Sequence, residues 1–375
     1  MIPKLQNLMG KQFSLSSAPM SESYHPELDE SPFVNQEMAS KYRSMIGSLN
    51  WAITLGRFDV QYATSTMARY SMAPREGHVE AVMKILGYLK KPARLNPQIL
   101  VNPSKPNHEK YPFQDHEIWQ EFYPGLIEEL PHDMPILRGG FVWITIWVDA
   151  DHAHDKITRK SVTGIFALVN GLPYKTISKR QSTVESSTYG SELVASRIAV
   201  ELAIEILYTL RMLGVNVKSP VLMLGDNKSV VVNASTPSSV LKKKHCAINY
   251  HRVREAIAGN IVNYVHIDSR KNIADCLTKP LPGNVLYGLV KPILFANPGE
   301  TLWPGKNIEL DDDRGSEIKD SHLTPDSDTK EGKMMSEGVN PDTNAVKSGK
   351  PEPQIKKVSF DLVHGNLTNT ELVKL

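Results

Sequence analysis

Gly164-Ile165-Phe166-Ala167-Leu168-Val169-Asn170-Gly171-Leu172-Pro173-Tyr174-Lys175-Thr176-Ile177-Ser178 is the stretch on which the reading of this chain turns. Two short runs rich in apolar and β-branched residues flank Asn170-Gly171, and both residues of that dipeptide tolerate positive φ. The stretch therefore predicts two strands, 164–169 and 172–178, joined by a tight hairpin. Upstream, Val142 to Val148 reads as another short strand. Downstream, Val194, Ile198, Leu202, Ile206, Leu210 and Leu213 recur on one face of a long helix from about Ser187 to Leu213, with Gly214 as its stop. A strand over Val221 to Leu224, a helix over Ala247 to Ala258, a strand over Ile261 to Ile267 and a helix opening near Ile273 follow. The order is βββαβαβα, an α/β domain spanning residues 141–295.

The flanks read differently. Between Glu37 and Lys91 apolar residues recur at helical spacing: Tyr42, Met45, Ile46, Leu49 and Ile53, then Val60, Ala63, Met67 and Tyr70, then Val79, Val82, Met83, Leu86 and Leu89. Gly56-Arg57-Phe58-Asp59 and Ala73-Pro74-Arg75-Glu76-Gly77 separate the three groups, which gives a three-helix module over 32–96 after an irregular segment, 1–31. Residues 97–140, rich in Pro, Asn, His and acids, read as a linker with one short helix around Ile118 to Phe122. Beyond Pro304 the composition turns to Asp, Glu, Lys, Ser, Pro and Gly, with Asp311-Asp312-Asp313. Too little apolar surface is left there to offset the ordering entropy, so 305–375 is expected to be a disordered tail with one apolar patch, Val358 to Val363.

Composition narrows the function classes. Hydrophobic residues at 41% and charged residues at 22% of 375 are globular values, not fibrous ones. No apolar run reaches the roughly 18 residues of a membrane span, and the first 20 residues lack a signal-peptide core, so a soluble intracellular protein is expected. Two cysteines, Cys246 and Cys276, exclude a disulfide framework and a four-cysteine zinc site, so neither zinc nor secretion is expected. With a net charge of only +2, nucleic-acid affinity would have to come from local clusters.

Four acids stand at telling places: Asp149 at the end of a strand, Glu192 near the start of the long helix, Asp226 just past a strand and Asp275 at the start of the last helix. Sites in open α/β sheets gather at strand ends and adjoining helix starts, so these acids can converge. Carboxylate oxygens suit hard Mg²⁺ or Mn²⁺, and two such ions can activate a water and stabilise the leaving oxygen of a phosphodiester. Each acid alone has an ordinary explanation as a turn former or a complement to a helix dipole. Only the set, in this order of elements, points to a cation site.

Specific motifs accompany the acids. Trp147-Val148-Asp149-Ala150-Asp151-His152-Ala153, the run from Lys179 through Thr183-Val184-Glu185-Ser186-Ser187-Thr188 to Glu192, Gly225-Asp226-Asn227, and Asn272-Ile273-Ala274-Asp275-Cys276-Leu277-Thr278-Lys279-Pro280 resemble the ribonuclease H domain of copia-type retrotransposon Pol polyproteins. Tyr42-Arg43-Ser44-Met45-Ile46-Gly47-Ser48-Leu49 and Gly87-Tyr88-Leu89-Lys90-Lys91 resemble the helices after the polymerase palm in the same polyproteins. The resemblance implies a ribonuclease H-like mixed sheet with flanking helices. It also implies hydrolysis of the RNA strand of RNA–DNA hybrids with two Mg²⁺, for which Mn²⁺ can substitute, held by Asp149, Glu192, Asp226 and Asp275. Partners would be the hybrid and the rest of a polyprotein. Asp151, two residues on, is the alternative to Asp149. Where many relatives carry Thr-Glu-Ala-Glu this chain has Thr188-Tyr189-Gly190-Ser191-Glu192, which leaves Glu192 as the ligand and Glu185 as its alternative.

No Tyr-x-Asp-Asp pair occurs before residue 140, so the chain is expected to be a C-terminal piece or truncated copy of such a polyprotein, without polymerase chemistry. Lys242, Lys243, Lys244 and His245, followed by Arg252 and Arg254, interleave cations with rings as a surface tracking a nucleic-acid backbone would, although a solvated basic face has the same composition. His152, His154 and Asp155 read as a polar rim of the cleft, and Trp143 and Trp147 as core. The competing function is a non-catalytic remnant acting as a nucleic-acid-binding or interaction module.

Overall fold

The hairpin predicted at Asn170-Gly171 is present in the computed structural model, with φ of 50° and 78° at these residues, the mirror-image turn that matches strand twist. The structure describes residues 1–95, 97, 111, 116–128 and 130–295. The expected tail over 305–375 and its apolar patch lie outside them.

Helices α1 (Ile2–Met9), α2 (Gln36–Thr54), α3 (Gln61–Ala68), α4 (Glu76–Lys90) and α5 (His116–Phe122) come first. They are followed by β1 (Arg138–Val142), β2 (Ile144–Asp151), β3 (Val162–Val169), β4 (Leu172–Arg180), α6 (Thr188–Met212), β5 (Val215–Val217), β6 (Val221–Gly225), α7 (Lys228–Ser235), α8 (Ala247–Ala258), β7 (Val262–His266) and α9 (Gly283–Leu294). The main sheet runs β4-β3-β2-β6-β7. The β2, β3 and β4 pairings are antiparallel, and the β2–β6 and β6–β7 pairings are parallel. This is the mixed sheet with flanking helices that the sequence predicts.

Both faces of the sheet are covered, and the period-2 alternation of β2 shows how. Ile144, Ile146, Val148 and Ala150 enter one core with Leu193, Ala199 and Ile206 of α6 and Tyr250 and Val253 of α8. Trp147, with Phe166 of β3, enters the other, which includes Tyr42, Met45 and Leu49 of α2, Phe58, Met67 of α3, and Leu86 of α4. The helical module is therefore one wall of the sheet's second core. Phe58 meets Phe166 edge to face at 4.8 Å between ring centroids.

Several details depart from the sequence expectation. Residues 2–9 are helical rather than irregular, and Leu5, Phe13 and Met20 bury against the module. The run from Val142 to Val148 is split, because β1 leaves the main sheet to pair with β5. Helix α7 has no apolar periodicity to announce it: its centre is the β-branched run Val230-Val231-Val232, and Asn227 starts it by accepting from the Val230 amide at 3.2 Å. Near Ile273 a 3-10 turn, Ile273–Leu277, stands in place of a helix start. Pro280 and Pro282 block its continuation until α9. Trp143 is only partly buried, whereas Trp147 is a core residue.

Candidate active site

Asp149 and Asp226 are placed by strand register. Val148 of β2 pairs with Gly225 of β6 in the parallel ladder, so the next residue of each strand is an acid at the same end of the sheet. Glu192 reaches this end from α6, whose N-terminus Ser187 caps by accepting from the Gly190 amide. The carboxylates of Asp149, Glu192 and Asp226 each present an oxygen within 4.8 Å of the others. Asp149 and Glu192 are 3% and 6% exposed, so their charges face one another with little water between.

The electrostatics follow from that crowding. Burial, then Asp149 and Asp226, push the Glu192 carboxyl well above its ordinary range. Burial and Asp149 raise Asp226 as well, against the pull of Lys279. Asp275, on the 3-10 turn, is pushed up to about 7 by burial first and Asp149 second. Its Oδ1 lies 3.0 Å from Lys279 Nζ. Asp275 thus borders the cluster of three acids and is tied to a cation rather than meeting the other carboxylates directly. For Lys279 itself burial opposes the charge, but Asp149 and Asp275 outweigh it and hold the ammonium above its usual range.

A set of side chains not singled out in the sequence holds these acids in place. Thr278 Oγ1 donates to Asp149 Oδ2. Gly164 sits directly opposite Asp149 in the β2–β3 ladder, and a Cβ there would come within 2.6 Å of Thr278 Cγ2 and 2.7 Å of the Ala274 carbonyl. Only glycine lets the 3-10 turn lie this close to β3. Buried Asn272 donates from Nδ2 to the Val148 carbonyl at 3.0 Å and accepts from the Ala274 amide at 3.1 Å, fixing the turn to the strand that carries Asp149. Ser196 Oγ donates to the Glu192 carbonyl at 2.8 Å and, with its hydrogen so engaged, accepts from Tyr264 at 2.8 Å. Thr278 and Lys279 lie in the 272–280 run, with Lys279 four residues after Asp275, a spacing that could have flagged the pair.

Oxygen donors alone, preassembled and mutually repelling, fit a hard divalent cation such as Mg²⁺. The alternatives to Asp149 and Glu192 have other neighbours. Asp151 is bonded to His154 Nδ1, and Glu185 lies beside His245 and Cys246. His154 and Asp155 do not form a further ligand set: His154 Nε2 faces Tyr62, and buried Asp155 accepts from the Ile157 and Thr158 amides and pairs with Arg180 at 3.0 Å.

The expected nucleic-acid-binding residues separate into two groups. Lys242, Lys244 and His245 are exposed. Lys243 donates to Ser187 Oγ at 2.6 Å, and Arg252 pairs with Glu201 at 2.8 Å. Arg254 is a correction: at 3% exposure its guanidinium donates to the carbonyls of Asn233, Thr236 and Pro237 and lies 4.8 Å from the Trp119 ring. It holds the loop after α7 and cannot reach a phosphate.

A five-stranded mixed sheet with three antiparallel strands followed by two parallel ones, helices on both faces and acids gathered at the β2 and β6 ends defines a ribonuclease H-like domain. The chain resembles copia-type retrotransposon Pol polyproteins, as its motifs lead one to expect. It is 26% identical over 243 residues to the retrovirus-related Pol polyprotein from transposon RE1 of Arabidopsis thaliana, covering 64% of this chain and 14% of that protein. It is 23% identical over 287 residues to the transposon Ty1-JR1 Gag-Pol polyprotein of Saccharomyces cerevisiae, covering 75% and 14%. The chain thus spans about one seventh of the length of these relatives. Among solved structures, RNase H1 from the archaeon Halobacterium salinarum matches 37% of this chain and 95% of its own at 15% identity and a TM-score of 0.27. No protein-family model matches.

Proposed function

We propose that this chain hydrolyses the RNA strand of RNA–DNA hybrids, with Asp149, Glu192, Asp226 and Asp275 holding two Mg²⁺ ions. The observation that carries the reading is the meeting of Asp149, Glu192 and Asp226 within 4.8 Å at the ends of adjacent parallel strands and a helix start. Bound divalent ions would supply an activated water and charge stabilisation for the leaving oxygen. The chain's own residues do the rest. Thr278 orients Asp149, Asn272 ties the Asp275 turn to β2, and Lys279 balances the excess negative charge beside Asp275. Lys242 and Lys244, exposed and without a carboxylate partner among the described residues, would follow a phosphate backbone.

The test is incubation of the full chain with a labelled RNA–DNA hybrid, with and without Mg²⁺, beside Asp226→Asn. RNA-strand cleavage requiring both the metal and Asp226 is the expected result. A folded chain that binds the hybrid and never cuts it would overturn the enzyme in favour of a binding module.

A further inference from the structure

A second cluster of metal-ligating side chains lies outside the carboxylate site. Glu185, in the loop before α6, and His245 and Cys246, in the turn before α8, each present a donor atom within 4.8 Å of the other two. The contributing segments lie far apart in the chain, so no cysteine spacing could reveal the set. Two other contacts already draw these segments together: Lys243 Nζ donates to Ser187 Oγ at 2.6 Å, and His245 Nε2 lies 3.4 Å from Ser186 Oγ.

The donor chemistry differs from that of the active site. One thiol, one imidazole and one carboxylate are borderline-soft ligands that suit Zn²⁺ and disfavour Mg²⁺. We propose that Glu185, His245 and Cys246 form a Zn²⁺ site that clasps the Lys242–His245 loop to the start of α6. With three protein ligands, a bound Zn²⁺ would keep a fourth position for water. Cys246 is 1% exposed. Binding through its sulfur would release the thiol proton to solvent, one per ion. Because Thr188 and Glu192 lie on the helix being clasped and both line the active-site cleft, loading would fix the basic loop against the cleft's rim.

The test uses Co²⁺ as a spectroscopic stand-in for Zn²⁺ on the full chain, in excess Mg²⁺ so that the carboxylate site is filled. Expected are a thiolate-to-cobalt charge-transfer band saturating at one ion per chain, its displacement by Zn²⁺, and loss of the band in Cys246→Ser. That variant keeps Cys276, which serves as the internal control. His245→Ala removes an exposed side chain without disturbing the core and should weaken Co²⁺ binding by more than about tenfold. Absence of the band in the wild-type chain, or a band unchanged in Cys246→Ser and His245→Ala, overturns the site. Neither outcome depends on whether the chain cleaves hybrids.

Discussion

Tyr62 of α3 and His154, three residues beyond β2, meet through a hydrogen bond of 2.6 Å between the Tyr62 hydroxyl and His154 Nε2. Nδ1 of the same imidazole faces Asp151. The imidazole thus bridges the two side chains, with Nδ1 against the Asp151 carboxylate and Nε2 against the Tyr62 hydroxyl. The chain Tyr62–His154–Asp151 links the helical module to the strand that carries Asp149. It also holds one oxygen of Asp151, the alternative to Asp149, in a hydrogen bond to His154 at the edge of the same cleft.

This link and the Phe58–Phe166 contact predict that the helical module and the sheet unfold together. Phe58→Ala removes a buried ring from the core they share and is expected to cost about 3–5 kcal/mol. Thermal unfolding followed by near-UV and far-UV circular dichroism should show one coincident transition moved to lower temperature. A low-temperature transition confined to helical signal, with the sheet's melting point unmoved, would refute the shared core.

Asp226→Asn should abolish Mg²⁺-dependent cleavage while leaving the metal-free melting point similar or higher. Removing one of several crowded like charges relieves repulsion that raises Glu192 and Asp275. Differential scanning calorimetry beside the hybrid-cleavage assay checks both parts. A large loss of stability would mean that Asp226 serves the fold and not the site.

The same carboxylates set a pH dependence. Glu192, Asp226 and Asp275 have folded-state values raised above the ordinary carboxylate range, Asp275 to about 7. Between about pH 4 and pH 7 the folded chain therefore holds protons that the unfolded chain has released, and the stability they confer falls as pH rises through the folded value. The paired acids Asp155, Asp29 and Glu201 are shifted downward, so their contribution is complete once pH passes their ordinary carboxylate values, at the foot of this window, and it does not alter the comparison between pH 5.5 and pH 8. The metal-free protein should thus melt at a lower temperature at pH 8 than at pH 5.5. Mg²⁺ should raise the melting point more at pH 8, where the ligands are ionised, and chelation should reverse the gain. A Mg²⁺ effect equal at both pH values would contradict the assignment.

How much of the fold and site is legible in sequence depends on whether one segment or two carry the signal. The Asn170-Gly171 hairpin and α6 announce themselves, because turn chemistry and a 3.6-residue period are local properties. Helix α7 does not, since consecutive valines carry no helical period and what stabilises it is the Asn227 cap, burial of Val230, Val231 and Ala234, and contacts from the distant Arg254 and Tyr264. Asp149 and Asp226 can be suspected from strand ends, yet their adjacency comes from the Val148–Gly225 register, a tertiary property. Thr278, Asn272 and the Glu185–His245–Cys246 group are visible only once distant segments meet. Arg254 shows the reverse error: a cation within a basic, aromatic stretch looks like a phosphate ligand until its guanidinium is found capping backbone carbonyls.

That distinction between Arg254 and the exposed lysines yields the last prediction. Replacing Lys242 or Lys244 by Ala removes an exposed charge, so stability should stay within about 0.5 kcal/mol of the parent's. Hybrid affinity should weaken at low salt, and the slope of log affinity against log salt should fall by roughly 0.7–0.9 for each phosphate left without its lysine. Arg254→Met should do the opposite. Its guanidinium donors are engaged by the loop after α7 and by Tyr123, so removing them leaves buried carbonyls unpaired and is expected to cost about 2–4 kcal/mol, with the salt slope unchanged in the fraction that remains folded. Fluorescence-anisotropy titrations across a salt series, paired with urea unfolding of each variant, separate the two. A reduced salt slope in Arg254→Met at unaltered stability would return Arg254 to the nucleic-acid interface.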